Sequence, residues 1–287
     1  MEDNQLQSLL YIALKAAMEA SGAISNHYQQ SIYVETKEDG SPITEADRQA
    51  NSIIMKHLEK TGLPVISEES EVAPYEQRRH WEWFWLVDPL DGTKEYISRT
   101  GEFTVNIALI HKNTPVLGVI TAPALNTGYV GWVGKKVWKI DRVDQMESEH
   151  PDWQEQEPDT FTRSLRLFTT QPGVSVGVSR SHRDAQTDEM IGRLHEFHDR
   201  VNLISKGSSL KLCHMAENLI SIYPRFSPTH EWDTAAGHAI LKAAGGEMYQ
   251  AANKKPLEYN KPQLKNPAFI AMASTYDSER YFSELAL

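Results

Sequence analysis

Cysteine is almost missing from this chain: Cys213 is the only one in 287 residues, so no intrachain disulfide can form and a reducing cytosol is the natural compartment. That single thiol reads as a small packing residue. Basic charge is also scarce. With 29 lysines and arginines against 39 acids, the formal charge is -10, which speaks against binding a nucleic-acid polymer but leaves room for a local basic pocket that takes a small anion. No uncharged apolar run reaches bilayer-spanning length, and Glu2 and Asp3 stand where a secretory signal would carry basic residues. The most apolar aromatic stretch, 81 to 87, is too short to cross and contains Glu82, so it reads as a buried strand. Internal repeats and low-complexity tracts are absent as well.

What is present is the composition of a globular protein, 40% hydrophobic and 24% charged, in a chain long enough for one large layered fold or two tightly joined lobes. Leu6, Leu9, Leu10, Ala13, Ala16, Ala17, Ala20 and Ile24 recur at helical spacing and predict a long amphipathic opening helix. A polar stretch, 35 to 42, precedes a second helix opened by Thr44. Short apolar runs at 63–67 and 83–87 end directly at Glu68 and Asp88, as buried strands delivering carboxylates from their ends would. Strands are expected next at 103–110 and 116–122 and within 128–140. Residues 143 to 163 are charged and carry Pro151 and Pro158, so they read as an exposed connection between an N-terminal lobe, 1–163, and a C-terminal lobe, 164–287. The second lobe alternates strand-like 174–179, 201–205 and 219–223 with helix-like 184–197, 208–218 and 233–244, which is α/β in character.

The densest chemical signal is 88 to 93, DPLDGT: two aspartates three apart, a proline that stiffens the turn and a glycine that lets backbone approach closely. Such a turn can aim both carboxylates and a carbonyl at one point, the ligand type that hard cations prefer. Taken alone it is equally an Asp-Pro turn with solvated acids. Glu68 and Glu69 are adjacent carboxylates at a strand end, and because successive strand residues face opposite ways only one, Glu68, is expected in a cleft. Asp233, in EWDTAAG, and Asp47, three residues after Thr44, each fit an ordinary helix cap when taken singly.

Together these segments resemble the inositol-monophosphatase superfamily of lithium-sensitive, magnesium-dependent phosphomonoesterases, over nearly the whole chain. The stretches 86–97, 101–109, 207–212 and 223–240 are similar in particular to its 3'(2'),5'-bisphosphate nucleotidases. The resemblance implies an α/β (α+β) fold, a layered α/β/α/β/α sandwich. It implies hydrolysis of adenosine 3',5'-bisphosphate to AMP and phosphate, as in sulfate assimilation, with two or three magnesium ions. One ion would be held by Glu68, Asp88 and the carbonyl of Leu90, a second by Asp88, Asp91 and Asp233. Asp47 and Thr93 would be the catalytic pair that orients and deprotonates water, with Gly92 and its neighbours in 90–93 facing the phosphate. His182, Ser208, Lys211 and Arg225 would contact the nucleotide, with the start of a helix at 207–211 offering N–H groups to an anion. A monomer or homodimer, cytoplasmic and able to associate peripherally with the inner face of a bacterial membrane, completes that expectation. An inositol or sugar monophosphatase is the alternative enzyme, and a metal and nucleotide sensor the alternative outside catalysis.

Overall fold

The computed structural model describes residues 1–37, 40–160, 162–165, 173–180, 184–273 and 278–285, side chains at 279, 280 and 284 excepted. The chain opens with helix α1 (Asp3–Tyr28), started by a capping box in which the Glu2 N–H donates to Gln5 Oε1 at 3.0 Å. The hairpin β1 (Val34–Thr36) and β2 (Pro42–Thr44) follows, and the chain turns directly into α2 (Glu45–Leu58). Then come β3 (Val65–Ser67), α3 (Tyr75–Arg78), β4 (Trp83–Asp91), α4 (Thr93–Ile97), β5 (Thr104–His111), β6 (Thr114–Ala122), β7 (Thr127–Trp132) and β8 (Lys136–Asp141). After α5 (Met146–Glu149), β9 (Arg163–Ser164) closes a seven-stranded sheet of order β3-β4-β5-β6-β7-β8-β9, antiparallel except for the β3–β4 pair.

The rest of the chain forms β10 (Val174–Ser179), α6 (Ala185–Phe197), β11 (Val201–Lys206), α7 (Leu210–Ala216), β12 (Ile222–Arg225), α8 (Glu231–Ala243), β13 (Glu247–Gln250), β14 (Phe269–Met272) and α9 (Ser278–Glu284). Its five strands pair in the order β11-β10-β12-β14-β13, with β14 antiparallel to both neighbours.

Residue alternation along the strands generates the layers. On β4, Trp85 and Val87 join α1 and α2 in one core, while Phe84 and Leu86 face the other way, toward Leu212 and Met215 of α7 and Ala236 and Ile240 of α8. The same two helices also bury Tyr223 and Phe269 of the smaller sheet, whose opposite face packs Val176, Ile222 and Met272 against α6 and α9. The result is an α/β/α/β/α sandwich. Cys213 lies fully buried in its middle layer.

Close approach of α8 to the large sheet needs two glycines. A Cβ on Gly118 would lie 2.3 Å from the Ala236 carbonyl oxygen, and one on Gly131 only 2.5 Å from Ile240 Cα. We expect Gly131→Ala to cost about 1–3 kcal/mol in urea unfolding through overpacking, and to lower metal affinity because Asp233 rides on the displaced helix. An unchanged midpoint and unchanged metal affinity would contradict this packing.

Two expectations need correction. Most described residues of 143–163 are exposed, but the segment is anchored rather than free: Val143, Met146, Trp153 and Pro158 are buried, and Trp153 packs edge-on against Tyr11 of α1 at 5.6 Å between ring centroids. Apolar residues too widely spaced for a helix were enough to dock this segment on the first core. The strand expected at 219–223 runs instead from Ile222 to Arg225, because Leu219 is exposed and Ser221 is used to hold Ser175 of the neighbouring strand.

Candidate active site

β3 and β4 run parallel, so both leave the sheet at the same end, and Glu68 and Asp88 emerge side by side. Opposite β5, Asp88 pairs with Asn106 but Asp91 pairs with Thr104, three residues against two. That extra residue is a β-bulge, and it cancels the alternation that would otherwise turn Asp88 and Asp91 to opposite faces. The strand therefore continues through Asp91 rather than stopping at Val87. Leu90 N–H donates to Asp88 Oδ1 at 3.0 Å, so the turn fixes its own first carboxylate. Gly92 then takes φ 90°, and Thr93 opens α4.

From the smaller half, α8 presents Asp233 in its first turn, where its Oδ2 accepts the His230 N–H at 2.9 Å. Carboxylate oxygens of Glu68, Asp88 and Asp233 lie within 4.8 Å of one another. Asp91 Oδ2 accepts from the Ser208 hydroxyl, from Ser209 N–H at 2.8 Å and from Asn106 Nδ2 at 3.4 Å. At the start of α2, Asp47 Oδ2 accepts Thr44 N–H at 2.8 Å, while its Oδ1 accepts the Thr93 hydroxyl at 3.3 Å. The capping role foreseen for Asp47 and the contact with Thr93 thus coexist on separate oxygens.

Burial, and then repulsion from Glu68, Asp91 and Asp233, pushes the Asp88 carboxyl well above its ordinary range, and Asp233 is raised in the same way. Burial also raises Glu68, which Lys37 partly offsets from 3.1 Å. Clustered all-oxygen donors with this much mutual repulsion, Asp88 buried and Glu68 and Asp233 half-buried, fit a hard divalent cation, whose charge would return them to the ionised form. Glu69 turns away to Lys37 Nζ at 2.5 Å, with its carbonyl held by Asn51 Nδ2 at 3.2 Å.

The cluster lines a cleft of about 300 Å³ that is also lined by Ser208, Lys211, Tyr223 and Arg225. Lys211 Nζ donates to the carbonyls of Lys206 and Ser208 at 2.9 and 2.7 Å and sits 5.1 Å from the Tyr223 ring centroid. The Arg225 guanidinium donates to Ser227 O at 3.3 Å and to Pro228 O at 3.4 Å. His182 lies outside the described residues. The expected anion site at the N–H groups of 207–211 needs correction: Gly207 N–H and Ser209 N–H are taken by the carboxylates of Glu102 and Asp91, and α7 starts only at Leu210.

Sequence reasoning missed Lys37, which lies in the stretch read only as polar, and the Thr104, Asn106 and Ser209 network behind Asp91, linked by contacts of 2.8–2.9 Å. A polar residue in an otherwise apolar strand, as at Asn106, was the available signal. If the cluster binds a divalent ion only in the folded state, magnesium at a hundredfold excess over its Kd adds about 2.7 kcal/mol, raising the melting temperature by roughly 5–10 °C. Scanning calorimetry with and without chelator reads this, and an unchanged melting temperature would contradict the site.

The family model described as the inositol monophosphatase family matches residues 5–283. The chain is similar to the 3'(2'),5'-bisphosphate nucleotidase CysQ of Escherichia coli, at 41% identity over 258 residues, 88% of this chain and 95% of that one. It is 42% identical over 236 residues to the CysQ of Salmonella typhimurium, covering 81% and 86%. Among solved structures it resembles CysQ from Bacteroides thetaiotaomicron, described as a bacterial member of the inositol monophosphatase family, with TM-score 0.81, 40% identity and coverage of 93% and 98%.

Proposed function

The chain belongs to the inositol monophosphatase family, and from that membership and the chemistry of the cleft we propose that it is a magnesium-dependent 3'(2'),5'-bisphosphate nucleotidase, converting adenosine 3',5'-bisphosphate to AMP and phosphate. The observation that carries the reading is the pairing of two opposite kinds of group in one cleft: the Glu68, Asp88, Asp233 cluster and, lining the same cleft, Lys211 with Arg225. A substrate with two phosphates on one ribose needs both.

In this reading Glu68, Asp88 and the Leu90 carbonyl would hold one cation, and Asp88, Asp91 and Asp233 would hold a second. When bound, such cations polarise the phosphoryl group and make water at the site more acidic. The protein's own part is positional and basic. Thr93, held between Asp47 at 3.3 Å and Leu90 O at 3.4 Å, orients the attacking water, and Asp47 takes its proton. Burial raises the Asp47 carboxyl against the lowering effect of its Thr44 hydrogen bonds, which makes it a better proton acceptor than a solvated aspartate. Gly92 and Thr93 line the cleft beside the cluster and face the scissile phosphoryl group. Ser208, Lys211 and Arg225 hold the remainder of the nucleotide.

Among the described residues no helix is long and apolar enough to cross a membrane. A cytosolic protein acting as a monomer or homodimer is part of the proposal; a peripheral membrane contact has only the family resemblance behind it. The test is phosphate release from adenosine 3',5'-bisphosphate with magnesium and again with excess chelator. Release in the first and none in the second is expected, whereas nucleotide binding without release would leave a sensor.

A further inference from the structure

Glu102 joins the two halves of the molecule beside the cleft without lining it. It lies between α4 and β5, with its side chain 8% exposed. Its Oε2 accepts Gly207 N–H at 2.8 Å, and its Oε1 takes Lys206 Nζ at 3.2 Å and Arg180 Nη2 at 3.0 Å. All three donors come from the smaller half. Burial alone would raise this carboxyl, but the Gly207 N–H and the Lys206 and Arg180 charges outweigh it and hold the group below its ordinary value, so it stays ionised.

The segment it grips has little freedom. A Cβ on Gly207 would lie 2.9 Å from both the Glu102 carbonyl oxygen and Glu95 Cγ, so the turn is pressed directly onto the first half. Ser208 adopts φ 50°, a left-handed conformation that a serine keeps only where its surroundings impose it. On one side of this serine Glu102 holds Gly207 N–H, and on the other Asp91 holds Ser209 N–H at 2.8 Å. Lys211 then donates to the carbonyls of Lys206 and Ser208, which flank Gly207. The location of the Lys211 ammonium is therefore set by a turn that Glu102 sets.

We propose that Glu102 is a positioning residue for nucleotide recognition, acting through the 206–209 turn to place Ser208 and Lys211 and making no contact with substrate itself. This rests on the bisphosphate nucleotidase reading. Two variants separate positioning from support of the fold: Glu102→Ala removes every contact, and Glu102→Gln keeps an acceptor for Gly207 N–H without the charge that holds Arg180 and Lys206. Each is assayed for KM and kcat on adenosine 3',5'-bisphosphate, for kcat on 4-nitrophenyl phosphate, and for AMP binding by calorimetry. For Glu102→Ala, loss of a charge-assisted hydrogen bond predicts about a tenfold rise in nucleotide KM and AMP Kd, with kcat on 4-nitrophenyl phosphate within about twofold of wild type. Glu102→Gln should recover most of the AMP affinity. Equal losses on both substrates, or an unchanged KM and Kd, would overturn the inference alone provided wild type still prefers the nucleotide. A wild-type protein without that preference would overturn the activity reading and this inference together.

Discussion

An Asp88→Asn variant is expected to lose turnover by at least about 10³-fold while remaining folded, because removal of one buried anion from a cation site forfeits several kcal/mol of transition-state stabilisation at 1.36 kcal/mol per tenfold. Asp88 is the member of the cluster repelled by all the others, with Glu68, Asp91, Asp233 and Asp47 each raising it beyond the effect of burial. Substitution by the isosteric amide relieves that repulsion. The variant should therefore melt at or above the wild-type temperature in chelator, and gain less than wild type from magnesium. Asparagine can still accept the Leu90 N–H that Asp88 Oδ1 takes at 3.0 Å, so the turn keeps its shape. Wild-type-like rates at saturating magnesium would remove Asp88 from the chemistry, and a lower melting temperature in chelator would show that its role is structural.

Lys211→Ala should lower kcat/KM for the bisphosphate nucleotide about ten- to a hundredfold, the worth of a charge-assisted hydrogen bond to a phosphate. Among the described residues, carbonyls of Lys206 and Ser208 take two of the three ammonium donors, leaving one to meet an anion in the cleft. Burial pulls its pKa down to about 8, against the opposing attraction of Asp91. The sign follows directly: the charge is present below about pH 8 and lost above it, so nucleotide KM should rise through that range in wild type. Lys211→Ala should lack this inflection. A wild-type KM that stays flat well past that pH, or an alanine variant as efficient as wild type, would show that Lys211 does not read the nucleotide.

The parts of the site that could be read in the sequence are those where chemistry sits at the end of a regular element. Glu68 and Asp88 follow short apolar runs, and parallel pairing of β3 with β4 brings the ends of those runs side by side. Asp233 and Asp47 sit in first helical turns, so sequence alone could not separate a cap from a ligand, and the structure gives each a capping contact. The bulge that aligns Asp88 with Asp91 was not legible, because it is defined by register against β5 rather than by the residues themselves. Similarly hidden were β13 and β14, four residues each, whose strand character comes from pairing across a loop. Glu102 and Lys37 are further cases: each is a charged residue in a polar stretch, and only the tertiary fold supplies its partners. Trp153 shows the converse error, since charged neighbours and prolines concealed one large apolar side chain that, with Val143 and Met146, anchors the segment.

The measurement that bears most directly on the account is kcat/KM compared across adenosine 3',5'-bisphosphate, inositol monophosphate and fructose 1,6-bisphosphate at saturating magnesium. On the proposed reading the cluster of Glu68, Asp88 and Asp233 would serve any of the three, whereas Lys211 and Arg225, which line the same cleft, would meet the second phosphate of the nucleotide. A preference for the bisphosphate nucleotide of about tenfold or more over both others is predicted, again the worth of one charge-assisted contact. Equal efficiencies, or a preference for the inositol or sugar phosphate, would contradict it.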